Sequence, residues 1–378
     1  MVAVQVYKTD FACFGGYFLC RLKRNISKYL NCFMRKICHY IILLIAITAF
    51  AACTSAVKNE KWELRTVDGQ PERTVSIDTM QLRDPFVIID KNEKVYYMTG
   101  TGGAVWKSED LRHWTGPYNI LQPDTTMWMG SNPVIWAPEI HEFNKKFYYM
   151  ATFTRPEVII DRVAGRDIPR RSCQLFVSDN LTGPYKPLVD ERPLLRADQP
   201  SLDATFCNDE YGAGYIIYSH EWIQNWDGTV QIIRLTDDFC RQMGEPYVMF
   251  TASQNPWSSG VDSLGQKSFC PVMDGPFLFD TEGGELGMLF STYIDGEYSV
   301  GVAYTEKNHG LNGPWHIEPE PLLRDNNGHP MMFNDFDGTL VMAVHKDTVM
   351  NGKKTSVPRF IEMDRQFDKL KIKRYYKF

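Results

Sequence analysis

Residues 80–89 read MQLRDPFVII. One carboxylate, Asp84, stands between Arg83 and a proline, and an apolar run follows at once. Proline cannot donate to a sheet ladder and is tolerated at the first position of a strand. The stretch therefore predicts a buried strand with Asp84 at its mouth. The same grammar recurs along the chain. WAPEIHEF puts Glu139 after Pro138, and PSLDATFCND puts Asp203 ahead of apolar residues. CPVMDGPFLF puts Asp274 before Gly275-Pro276, and NNGHPMMFND puts His329 before Pro330. These five polar residues lie 55 to 71 positions apart. A strand-rich unit repeating at that interval predicts an all-β, five-bladed β-propeller. Five polar groups would then point at one end of a central axis.

Each unit continues with runs of strand length and patterning. The first holds DPFVIID, KVYYMTGTG and AVWKSED; the last holds HPMMFND, TLVMAVH and PRFIEMD. SEDLRHWTGP, SDNLTGPY, TDDFCRQMGEP and TEKNHGLNGPW each follow a third run, with a polar turn and then Gly-Pro or a near variant. Residues 62–83 are expected to lead in and to supply a strand closing the ring against the last blade. Residues 155–171, charged and with two prolines, are expected to form a loop over one face. In an antiparallel meander the second strand returns to the face where the first began. Asp84, Glu139, Asp203, Asp274 and His329 should thus share a face with His220-Glu221-Trp222 and His345, which end second strands.

The chain has 378 residues, 44% of them hydrophobic, and a net charge of −5. That suffices for a large core and lacks the basic balance that nucleic-acid binding needs. Aromatic residues make up 13%, with 9 Trp. Most should fill an all-β core, and some could stack on sugars. No phosphate-cradling Gly-rich loop, HExxH or GxSxG occurs. Residues 41–52, IILLIAITAFAA, have signal-peptide length and lead into Cys53. Small residues before a cysteine resemble a bacterial lipoprotein signal, with Cys53 lipidated as the membrane anchor of an exported protein. A plain secretory signal is the alternative. Met34-Arg35-Lys36 makes a natural start, so residues 1–52 read as a signal region, 53–61 as a tether and 62–378 as the propeller. Of the remaining cysteines, Cys173, Cys207, Cys240 and Cys270 show no CxxC spacing, which argues against zinc. Buried free thiols are the simple reading and one disulfide the alternative.

Carboxylates crowded around one pocket repel each other, so their pKa values separate, one staying ionised while another holds its proton. Glycosidic cleavage uses such a pair: a carboxylate activates water and a carboxylic acid protonates the leaving oxygen. HEWIQNWDG is dense in side chains that suit sugars: His220, Glu221, Trp222, Gln224 and Trp226. Phe86 and Trp136 either floor the pocket or belong to the core.

RDPF, WAPEIH, LDATF with a downstream DEYG, DGPF and GHPMMF together resemble glycoside hydrolase family 43 from about Asp84 to about Arg359. The resemblance implies a five-bladed propeller that hydrolyses arabinosyl or xylosyl linkages with inversion and requires no cofactor. It implies that Asp84 is the general base and that Asp203 orients the acid and raises its pKa. It implies that His329 sits near the axis, where a calcium ion or an ordered water binds, and that Arg359 binds substrate hydroxyls. Glu139 is more often structural in such proteins. The family's acid is a Glu before Gly-Pro; here that position is Asp274, shorter by one methylene, a loss of reach of about 1.5 Å. Three readings stand open: Asp274 is the acid in a tighter pocket, Glu221 has taken over, or the protein binds sugar without cutting it.

Overall fold

The computed structural model describes residues 64–122, 127–189, 192–259, 270–366 and 369–378. The signal region, Met34, Cys53 and the tether lie outside the described residues. The chain forms five antiparallel sheets, each from one contiguous stretch. The first holds β1 (Arg65–Thr66), β2 (Arg73–Ser76), β3 (Phe86–Asp90), β4 (Val95–Thr99), β5 (Val105–Ser108) and β6 (His113–Asn119). The second holds β7 (Val134–Phe143), β8 (Lys146–Val163), β9 (Arg166–Ser178) and β10 (Lys186–Pro187). The third holds β11 (Ser201–Asn208), β12 (Gly214–His220), β13 (Thr229–Leu235) and β14 (Gln242–Thr251). The fourth holds β15 (Asp274–Asp280), β16 (Leu286–Ile294), β17 (Glu297–Thr305) and β18 (Trp315–Ile317). The fifth holds β19 (Asn327–Asn334), β20 (Leu340–Met350), β21 (Lys353–Gln366) and β22 (Lys369–Tyr375). The five blades form a ring with β3, β7, β11, β15 and β19 innermost.

Burial follows from this order. β16 and β17, flanked by blades on both faces, are buried almost throughout, so their sequences run apolar instead of alternating. The outer β14 and β22 are largely exposed. Adjacent blades share side-chain layers. Phe86 and Val87 pack with Met331, Val341 and Phe360, which joins the first blade to the fifth. Large aromatic residues such as Trp114, Tyr149 and Tyr185 are fully buried, as an aromatic-filled core requires.

A backbone device repeats at the start of the inner strands. The ladder slips between Trp136 and Glu139, Leu202 and Thr205, Asp274 and Phe277, and Gly328 and Met331. In each slip one residue is left-handed: Ala137 (φ 41°), Asp203 (50°), Gly275 (50°) and His329 (54°); Asp84 (56°) holds the same place before β3. The next residue is Pro85, Pro138, Ala204, Pro276 or Pro330. A bulge leaves a residue out of the ladder, which is where a proline lacking N–H is tolerated. This accounts for the recurring X-Pro grammar and corrects its register. The equivalent positions are Asp84, Ala137, Asp203, Gly275 and His329. Glu139 lies two residues beyond its blade's bulge residue, and Asp274 one residue before.

Two further expectations are corrected. β1 and β2 pair with β6 on the outer edge of the first blade, not with the last blade. Closure instead uses side-chain packing, a Leu82 N–H to Ser356 carbonyl bond of 3.0 Å, and an Arg83–Asp347 ion pair of 2.9 Å. Residues 155–171 do not form a loop: they extend β8 and β9 into a long hairpin that turns at Ala164-Gly165. The four described cysteines are free thiols.

Candidate active site

The bulges deliver their side chains to one end of the axis. Asp84 is buried. Its Oδ2 accepts from the Thr101 hydroxyl at 2.5 Å. Its Oδ1 lies 3.5 Å from Arg83 Nε, 3.4 Å from His329 Nδ1 and 3.2 Å from His345 Nδ1. The Asp84 backbone N–H also lies against His345 Nδ1, at 3.2 Å. Burial opposes the charge of Asp84, but His329, Arg83 and His345 outweigh it and hold the carboxyl well below the usual carboxylate range.

Asp203 has the opposite character. Its N–H donates to Thr152 Oγ1 at 2.7 Å, and that hydroxyl lies 3.3 Å from Asp203 Oδ1. Burial pushes its pKa well above the usual value, and the negative charge of Asp274, a hydrogen bond with Asp274, and Asp84 add to the rise. Asp274 accepts from Tyr298 OH at 2.8 Å and from the Gly275 N–H at 2.9 Å. Donor atoms of Asp203, Asp274 and His329 fall within 4.8 Å of one another. Gly275 is required here twice over: its φ is left-handed, and a Cβ would come within 2.8 Å of His329 Nδ1. Asp203 therefore favours its protonated form, hydrogen-bonded to Asp274 and beside an ionised Asp84.

Glu221 belongs to a different cluster. Its Oε2 lies 2.7 Å from Arg171 Nη1, with both side chains nearly buried. The Arg171 guanidinium sits 4.3 Å from the Trp136 ring centroid and donates to Thr154 Oγ1 at 2.8 Å. Burial raises the pKa of Glu221 against the pull of Arg171, and Asp274 adds to the rise. Of the two candidate acids, Asp274 is the one in the company of Asp203.

These groups line one cavity of about 470 Å³, with Arg83, Asp84, Thr101, Asp203 and Asp274 at one side. Trp136, Arg171, Glu221 and Trp222 also line it. His329 lies beneath, against Gly275. Three expected site residues are elsewhere. Phe86 points down the axis and lines the wide opening at the far end, against His141 and Phe277. Arg359 lies in a separate surface depression with Ile77 and Tyr376, and donates to the Pro358 carbonyl. His220 is buried behind the wall, with its ring nitrogens 2.9 Å from Gln224 Oε1 and 2.7 Å from Asn225 Nδ2. Glu139 pairs with His141 at 2.6 Å, outside the cavity lining.

Arg171, Thr101 and Tyr298 were missed, and topology could have found them. Thr101 follows the end of a second strand. Arg171 and Tyr298 lie on third strands, which start from the same face as the first.

With that geometry in view, the comparisons with known proteins agree. The family model described as glycosyl hydrolases family 43 matches residues 76–361. The chain belongs to that family. It is similar to an extracellular endo-alpha-(1->5)-L-arabinanase of Thermotoga petrophila, 25% identical over 279 residues. That match covers 65% of this chain and 52% of the relative, so the chain spans about half the length of this curated relative. It also resembles the crystal structure of an endo-arabinase from Bacteroides thetaiotaomicron, with TM-score 0.66, 29% identity, and coverage of 78% of this chain and 98% of that one. An α-L-arabinofuranosidase from Lactobacillus brevis shares the fold at TM-score 0.55 and 16% identity, covering 75% of this chain and 91% of that one. Among the described residues no helix is long and apolar enough to cross a membrane.

Proposed function

We propose that this chain is an inverting glycoside hydrolase acting on arabinofuranosyl or xylosyl linkages of plant-type saccharides. One observation carries the reading: an ionised, buried Asp84 and a proton-holding Asp203, with Asp274 hydrogen-bonded beside it, line the same cavity. Membership of family 43 supports it, as do the names of the arabinan-cleaving relatives.

In this mechanism Asp84 takes a proton from a water molecule as the water oxygen bonds to the anomeric carbon. The bond from that carbon to the leaving oxygen breaks with its electron pair on oxygen. Asp274 hands the leaving oxygen the proton it shares with Asp203. Water enters opposite the leaving group, so the configuration inverts. Asp84→Asn keeps the shape and removes the base. We expect a loss of roughly 100- to 10,000-fold in kcat on aryl arabinofuranosides or xylosides. Proton NMR of the first product formed reads the inversion. Full activity in the Asn variant, or retained configuration, refutes the assignment.

A second reading has a specific motive. Asp274 is short, and two donors hold its carboxylate, which suits a propeller that binds glycans without cutting them. Purified protein that retains arabinan or xylan and releases no reducing ends would favour it.

The donor set among the described residues argues against a calcium site. Calcium takes six to eight oxygen ligands. Asp203, Asp274 and His329 offer one nitrogen and two carboxylates, and Asp203 favours its protonated form. His329 Nδ1 is buried without a hydrogen-bond partner, and an imidazole nitrogen suits other metals better. Hydrolysis then proceeds without a cofactor, and a chelator leaves the rate unchanged.

Residues 41–53 support export as a lipoprotein anchored to the outer membrane or facing the periplasm through Cys53. The mass of the N-terminal peptide from membranes tests this: an unmodified or internal N-terminus refutes it.

A further inference from the structure

The β8–β9 hairpin leaves its sheet and does not stand free. Beyond Arg155 and Arg170 it pairs Ile159 with Pro169, Asp161 with Ile168 and Val163 with Arg166. Ile168 is only 2% exposed, although it sits on an excursion from the blade. Together with Asp167 and Pro169 it lines the cavity. Across from it stands a one-turn helix, α1 (Trp222–Asn225), of the third blade. Gln224 on α1 donates through Nε2 to Asp161 Oδ2 at 3.0 Å and to the Asp198 carbonyl at 3.3 Å. His220 behind it holds the Gln224 and Asn225 side chains in place. Trp222 reaches the other way and packs against Val272, Tyr293 and Tyr298.

The described wall thus runs from Trp136 over the hairpin and α1 to Tyr293, an arc across the second, third and fourth blades. The rest of the lining comes from the first blade. There the described lining is Arg83, Asp84 and Thr101, and the fifth blade adds none. A polysaccharide threaded through a groove needs two open flanks. The hairpin and α1 wall lies along one of them here, and the 470 Å³ cavity is within the range of small-ligand pockets, roughly 300–1,000 Å³.

We propose that the clasp between the β8–β9 hairpin and α1 makes this chain selective for chain ends and short branches over bonds in the middle of a polymer. The inference rests on the hydrolase reading above. It departs from the endo-acting names of two relatives.

Two variants test it. In one, residues 156–169 are replaced by Asn-Gly, a two-residue turn that suits the paired Arg155 and Arg170. In the other, Asp161→Ala with Gln224→Ala leaves the hairpin at full length and removes the tie, together with the Gln224 bonds to the Asp198 carbonyl and His220; neither residue lines the cavity. The substrates are linear arabinan and an aryl arabinofuranoside. The wild type should release single sugars from the outset with little loss of viscosity. The shortened variant should raise viscosity loss per reducing end by about tenfold, as expected when a pocket wall sets discrimination. The double variant should move the same way by less. Mixed oligosaccharides and rapid thinning by the wild type overturn the proposal. So does an unchanged product pattern in both variants, with circular dichroism confirming that they fold. Should the wild type cleave nothing, the hydrolase reading fails while the clasp stays testable by titration with arabino-oligosaccharides of increasing length. Affinity that levels off at a short oligomer supports the clasp, and affinity that climbs with length overturns it.

Discussion

Tyr298→Phe isolates the proton chemistry of the Asp203–Asp274 pair. The ring is fully buried, packs at a tilt against Tyr293 and stacks on His345, with centroids 4.9 and 5.4 Å away. Gly328 leaves room for it, since a Cβ there would come within 2.0 Å of the ring. Phenylalanine keeps all this packing and removes one hydroxyl. That hydroxyl donates to Asp274 Oδ2 at 2.8 Å, and burial keeps its own pKa well above the usual range, so it remains a donor. A hydrogen bond to a charged group contributes about 1.5–3 kcal/mol. One pKa unit corresponds to about 1.4 kcal/mol, so losing the bond should move the limb of the pH profile that reports the acid by about one to two units. The sign follows because the bond favours the anion, and without it the proton donor of the reaction keeps its proton to higher pH. The assay is the pH profile of kcat/KM on an aryl glycoside. Its alkaline limb reports loss of the acid's proton and should move up by about one to two pH units. Its acid limb reports Asp84, held low by His329, Arg83 and His345; phenylalanine retains the aromatic ring that Arg83 and His345 contact, so this limb should stay where it is. An unmoved alkaline limb would show that Asp274 is not the group delivering the proton.

Arg171→Met should cost about 3–5 kcal/mol of stability, read by urea denaturation, because it leaves Glu221 buried without its partner. Adding Glu221→Gln should recover most of that loss, and a single variant as stable as the wild type would show the pair to be solvated. Asp84→Asn, the chelator and the two clasp variants complete the set, and each has an activity or product readout stated above.

Much of the fold was legible because its strand starts carry a chemical mark. A proline followed by apolar residues is tolerated where a ladder is interrupted or begins, and Pro138, Pro276 and Pro330 flag three of the four bulges while Pro85 marks the matching position before β3. Return of the second strand to the same face correctly brought Glu221 and Trp222 to the cavity and His345 to Asp84. Register was less legible. A bulge inserts one residue, so spacing alone could not tell Asp274 from Gly275, or Glu139 from Ala137. Side-chain direction alternates along a strand, and one position decides between cavity and exterior. Arg359 on β21 and Phe86 on β3 fell on the wrong side of that choice. Residues 155–171 read as a loop because of their prolines and charges. Both are admissible on a two-stranded ribbon that projects from its sheet.

The repeated left-handed bulge leads to a broader point. Each blade offers one seat at the axis whose backbone posture is set by the fold and is the same whatever side chain sits there. Asp84, Asp203 and His329 fill three of those seats with reactive groups, while Ala137 and Gly275 leave two with none. Reactivity can then be rewritten by exchanging single side chains, with no demand on the frame that holds them. The Asp274 carboxyl comes from the residue beside the glycine seat, so the fourth blade delivers its acid from a neighbouring position.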